Sequence, residues 1–230
     1  MAKRRWSPKG LLAAWAAIGC FAVTGAAWAQ DAANADAKNQ AQTPKRGQMQ
    51  RGDRTDVVAQ LRKKAESGDD KAQARLGIMY QQGIGVEKNA KQAVTWYEKA
   101  ANQGNSFAQT ALAEMFGRGR GVKQDYAVAA QWAKKGADNG DPRAQLILAY
   151  LYEEGLGVAQ DLNKAFELYT RSAEKGETFS MYSLGVMYEE GRGVEKNKEK
   201  AIEWYQKAAR YDSTPAQKRM ARIQNEVNKP

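Results

Sequence analysis

From Asp56 onward the apolar and small residues fall at helical spacing. Ala72, Leu76 and Tyr80 recur at i, i+4 and i+8, and so do Ala93, Tyr97 and Ala101, which puts each trio on one face of a helix. Between the two faces lies a Gly-x-Gly pair, and that pair returns every 36 residues as Gly83/Gly85, Gly119/Gly121, Gly155/Gly157 and Gly191/Gly193. Other columns keep the same register: Gly68, Gly104, Gly140 and Gly176; Leu76, Leu112, Leu148 and Leu184; Val86, Val122, Val158 and Val194. A fixed period with two helical faces per unit predicts an all-α repeat protein, each unit a helix A, a glycine loop and a helix B.

Local chemistry sets the ends of these helices. The first glycine of each pair is suited to the left-handed conformation that stops helix A, the second turns the chain, and the following valine returns to the core. Asn89, Asp125, Asp161 and Asn197 are placed to cap helix B. Beside the leucines, Gly77, Ala113, Ala149 and Gly185 leave room for a neighbouring helix. The register divides residues 53–230 into a half repeat (53–69), full repeats 70–105, 106–141, 142–177 and 178–213, and a closing helix over 214–230 whose tyrosine column holds Gln224.

The first 52 residues follow another pattern. Lys3, Arg4, Arg5 and Lys9 precede an apolar run from Leu11 to Ala27 that ends in Ala27-Trp28-Ala29, which predicts a cleaved secretory signal over 1–29. Residues 30–52, rich in Ala, Gln, Asn and Asp, predict a disordered tether. Cys20 is the sole cysteine and histidine is absent, so a chain cleaved after Ala29 has no thiolate or imidazole for a metal site, a nucleophilic dyad or triad, or a disulfide. Only carboxylate chemistry stays open, and Glu154 and Glu190 are where a paired-carboxylate hydrolase would show it. The whole sequence carries +10; four of its 36 basic residues and none of its 26 acids lie in 1–29, leaving +6. An exported chain of that charge meets anionic glycans and headgroups rather than nucleic acid.

The strings A-x-x-x-L-G-x-M-Y (Ala72 to Tyr80), G-x-G-V (Gly83 to Val86) and A-x-x-W-Y-x-x-A-A-x-x-G (Ala93 to Gly104) resemble the Sel-one-like repeat, a relative of the tetratricopeptide repeat. The resemblance covers nearly everything from Asp56 onward; Ala133 in place of tyrosine and Leu168 in place of tryptophan are its departures. It implies a right-handed α–α superhelical solenoid, no catalysis and no cofactor, and work as an adaptor, scaffold or regulator that binds a protein or peptide of the cell envelope, in the periplasm or outside the cell. Exported relatives also assist exopolysaccharide assembly, which leaves an anionic glycan as the alternative ligand. Cysteine-rich relatives associated with beta-lactam binding carry a disulfide in each repeat, and this sequence lacks those cysteines.

By analogy with tetratricopeptide units, the partner groove lies on helix A, at columns that change between repeats while the core columns do not. Those columns supply the candidate partner-binding residues Ile78, Phe107, Glu114, Leu146, Tyr150, Glu154, Phe179, Tyr182, Val186 and Glu190. Large aromatics on a solvated face are favoured at binding hot spots. Phe107 and Phe179 also suit a second role, plugging gaps between repeats. Glu153-Glu154 and Glu189-Glu190 close two A helices, where negative charge meets the negative end of the helix dipole. The expectation is an acidic rim around an aromatic patch, fit for a basic or aromatic-containing peptide. Trp96, Trp132 and Trp204 share one column and are expected in the core.

Overall fold

The computed structural model describes residues 51–211 and 213–227. The proposed signal (1–29) and all of the proposed tether but residues 51–52 lie outside them, as do the last three residues of the closing helix. Ten α-helices and no strand occur among the described residues: α1 Arg51–Glu66, α2 Asp70–Gln82, α3 Ala90–Asn102, α4 Ser106–Arg118, α5 Tyr126–Asp138, α6 Pro142–Glu154, α7 Leu162–Glu174, α8 Thr178–Glu190, α9 Lys198–Ala209 and α10 Thr214–Val227. Residues from Thr55 onward form one compact unit. Even-numbered helices are the A helices and odd-numbered ones the B helices.

Capping accounts for the sharpness of these helices. Asn89, Asp125, Asp161 and Asn197 each accept a hydrogen bond from a backbone N–H in the first turn of a B helix, as their spacing predicts. Asp69, Asn105, Asp141 and Glu177 do the same for the A helices α2, α4, α6 and α8. Gly83, Gly119, Gly155 and Gly191 adopt φ between 66° and 78°, closing each A helix in the left-handed conformation.

Each A helix packs most extensively against the B helix of its own repeat, and each B helix against the next A helix. Leu76, Leu112 and Leu184 are completely buried and Leu148 nearly so; each such side chain contributes about 1.5–3 kcal/mol of burial. Small residues set the A–B distance. A Cβ on Gly77 would come within 2.4 Å of the Tyr97 ring, and one on Gly185 within 2.4 Å of the Tyr205 ring. The hydroxyls of Tyr97, Tyr169 and Tyr205 then reach across to Gln81, Glu153 and Glu189, 16 residues earlier, at 2.7, 2.7 and 2.6 Å. In the second repeat Ala133 stands where the tyrosine would be, and Gly117 where its acceptor would be. Donor and acceptor are lost together, as a buried polar pair requires.

The second glycine of each pair does more than turn the chain. A Cβ on Gly121 would meet the Ala90 carbonyl at 2.5 Å, one on Gly157 the Tyr126 and Ala127 backbone at 2.2–2.4 Å, and one on Gly193 the Leu162 carbonyl at 2.5 Å. These glycines are the points where one repeat's loop rests on the first residues of the preceding repeat's B helix.

A buried amide ladder ties the opposite edge. Gln73 and Gln109 donate to Ala65 O and Ala101 O, and Gln103 and Asn139 donate in turn to Gln73 and Gln109 side-chain oxygens. At the third repeat the equivalent residue is Lys175, which donates to Gly140 O instead, and Gln145 Oε1 has no hydrogen-bond partner.

Candidate functional site

Contacts between successive A helices define the inner face. α2 touches α4, α4 touches α6 and α8 touches α10, with no comparable contact between successive B helices among the described residues, so the A helices line the concave side. Of these A–A junctions, α4 to α6 is the tightest.

The second and third repeats close much of this face by themselves. Arg143 Nε of α6 binds Glu114 Oε1 of α4 at 2.7 Å, leaving the Glu114 side chain 16% exposed. Burial pushes the Glu114 carboxyl above the usual carboxylate range, against the pull of Arg143, Arg118 and Arg120. Leu146 and Tyr150, expected on an open surface, are buried at 4% and 9% exposure. Their columns hold the smaller Ala74, Thr110 and Ile78 in the preceding repeats.

Half-buried Phe107 meets the Tyr97 ring edge-on at 6.1 Å and packs with Ile78 against the core between repeats, so plugging is its structural role. On α8, Phe179, Tyr182 and Val186 are half-buried. Tyr182 lies 5.8 Å from the Tyr205 ring, with the Arg219 guanidinium 6.0 Å above it.

The acidic rim needs a larger correction. Glu153 is buried, accepts from Tyr169 Oη and pairs with Arg192 Nη1 at 2.7 Å across the repeat boundary. Glu189 accepts from Tyr205 Oη and pairs with Arg219 at 2.9 Å and with Arg222 of the closing helix. These arginines offset the unfavourable helix-end charge that the sequence shows, and they are internal. Glu154 and Glu190 keep side chains 22% and 45% exposed. Desolvation raises the Glu189 carboxyl, but the Tyr205 hydroxyl, Arg219 and Arg222 outweigh it and leave it below the usual range. A carboxylate lowered on folding stabilises above its unfolded pKa, and that contribution disappears as pH falls through the folded value. Thermal melts should therefore show the wild type more stable than Glu189→Gln by about 1 kcal/mol at pH 7, solvent screening of the arginines included. The difference should begin to shrink below about pH 4, the ordinary glutamate range, and vanish as pH falls through the lower folded value; a constant difference would refute the pairing.

A Sel1 repeat family model matches residues 70–105, 106–141, 142–177 and 178–210, more than half of the chain. The chain belongs to the Sel1 repeat family. No curated protein matches it. Among solved structures it resembles a protective antigen of uropathogenic Escherichia coli strains with the same repeat fold (41% identity, TM-score 0.67), covering 69% of this chain. The chain spans only 34% of that antigen's length. It also resembles a Sel1 repeat protein from Oxalobacter formigenes (30% identity, TM-score 0.72) over 76% of this chain and 70% of that one. The fold is thus the all-helical right-handed Sel1 solenoid.

Sel1 repeat proteins bind other proteins, and their solenoids are generally scaffolds rather than catalysts. In this Sel1 solenoid the outer tryptophans serve packing: Trp96 is buried and Trp132 and Trp204 half-buried, with Lys99, Lys135 and Lys207 lying 4.2, 4.1 and 4.0 Å over the rings. Among the described residues no helix is long and apolar enough to cross a membrane, and no group of three or more Asp, Glu, His or Cys residues could hold a metal ion. The internal use of Glu153 and Glu189 did leave a trace in the sequence. The residue 16 before each repeat tyrosine is Gln, Glu or Glu, and becomes glycine where the tyrosine is lost.

Proposed function

We propose that the protein is an exported, non-catalytic adaptor of the cell envelope, periplasmic or secreted, that holds a partner protein or peptide against the inner face of its A helices. One observation carries this reading: half-buried apolar residues that differ between repeats, with Phe179, Tyr182 and Val186 grouped on α8, stand on a core whose columns repeat. A constant core with a varying inner surface is how a solenoid reads different parts of one ligand. Export rests on the sequence of residues 1–29.

The test is retention of an envelope protein on the immobilised chain, alongside a Phe179→Ala, Tyr182→Ala variant and an outer-face control, Lys91→Ala. Loss of two anchoring aromatics should weaken retention roughly tenfold or more, while the control retains it fully. Equal retention by all three would place the surface elsewhere, and retention of anionic polysaccharide alone would replace the protein partner with a glycan.

A further inference from the structure

In every full repeat the B helix is covered by its own A helix. The column of Ala93, Ala129, Ala165 and Ala201 is 0% exposed, and Tyr97, Ala133, Tyr169 and Tyr205, one turn on, are at most 1% exposed. In α1 the same two columns hold Val57 and Leu61, yet Val57 is 50% exposed and Leu61 only half-buried. Ile84, 51% exposed, belongs to the same end. Its column is the one from which Arg192 reaches back to Glu153 on the preceding A helix, and a Cβ on its neighbour Gly85 would meet Val58 of α1 at 3.0 Å. Residues 34–46 stand in register with an A helix for α1, but they put Gln40 in the leucine column and Pro44 in the tyrosine column, so they lack the A pattern.

α10 shows the converse. By register it is an A helix, and the residues that face a B helix elsewhere are uncovered: Ala221 is exposed and Met220 half-buried. In the full repeats Gly77, Ala113, Ala149 and Gly185 are buried, and the leucines beside them are at most 5% exposed. Within a repeat these columns meet, because Gly77 lies against the Tyr97 ring and Gly185 against the Tyr205 ring. Ala221 and Leu61 are those two columns again, displayed by the last and the first described helices. Charge does not oppose the fit: Arg219 and Arg222 turn to Glu189, and Arg62 to Tyr80 Oη.

We infer that α10 of one copy docks on α1 of another, with Ala221 over Leu61 and Val57 covered, so that two chains complete one repeat between them. The seam continues the A–B packing that each molecule already makes four times, and it removes the apolar faces of both helices from water. It is heterologous: a pair of copies still displays one free α1 and one free α10, so further copies add head to tail. Gln224 and Asn225 are exposed and keep their amides in water at its edge, which makes the seam weaker than an internal A–B pair and the association reversible. The inner face takes no part, so this surface is independent of the adaptor reading.

Disulfide trapping tests it on the full-length gene product, recovered as the cell processes it and carrying Cys20→Ser so that no native thiol competes. Mild oxidation of Leu61→Cys, Ala221→Cys should give a ladder of linked dimers, trimers and longer species, at least tenfold more than the off-seam pair Leu61→Cys, Lys218→Cys. Either seam cysteine alone should give nothing beyond a dimer. Without added cysteines, sedimentation equilibrium at roughly 10–500 µM should show mass rising with concentration, as a small seam requires. Val57→Asp, Ile84→Asp should weaken that association at least tenfold and Phe179→Ala, Tyr182→Ala leave it within twofold, with circular dichroism unchanged in both. A monomer across the whole range, equal laddering by the two cysteine pairs, or association indifferent to Val57→Asp, Ile84→Asp overturns the proposal.

Discussion

Replacing Gly157 with alanine is expected to destabilise the protein by about 2–5 kcal/mol, combining a left-handed backbone penalty of about 1–2 kcal/mol with about 1–3 kcal/mol of overpacking. Its φ is +68°, and the new Cβ would sit 2.2–2.4 Å from the backbone of Tyr126 and Ala127. Backbone cannot rotate aside as a side chain can, so relief requires the third repeat to move off the second. Gly104→Ala is the matched control. It has φ +92° but nothing within 4 Å of its Cβ, so only the backbone penalty of about 1–2 kcal/mol applies. Denaturant melts compare the two; equal losses would mean that the loop does not bear on the preceding helix.

Leu148→Ala should cost about 2–5 kcal/mol by opening a cavity between α6 and its neighbours. Leu148 is 5% exposed and sits in the central A helix, so the loss falls on both flanking repeat interfaces. In a solenoid, stability is close to a sum of repeat and nearest-neighbour terms, and weakening the middle should also broaden the denaturation transition. A change within about 0.5 kcal/mol would show that α6 does not carry the core there.

Helix register, helix B caps and left-handed helix ends are legible in the sequence because each depends on contacts within a few residues: Asn89 capping α3, or Gly83 stopping α2. The repeat multiplies that local signal four times. The reach of Arg192 back to Glu153, of Arg219 to Glu189, or of Gly157 onto Tyr126 is set by how far one repeat is rotated on the next, and no local pattern encodes that rotation. For the same reason the inner face could be located by column but not by exposure. Tyr150 and Tyr182 both stand at helix A positions that vary between repeats, yet the first is buried and the second half-buried.

Hydrogen–deuterium exchange of the protein with and without its captured envelope partner tests the central claim most directly, because it maps the covered face without any substitution. The account predicts slowed exchange in α6 and α8, whose inner faces carry Glu154, Phe179, Tyr182 and Val186, with the B helices α5, α7 and α9 unchanged. Protection confined to those B helices would place the partner on the outer face and contradict the account.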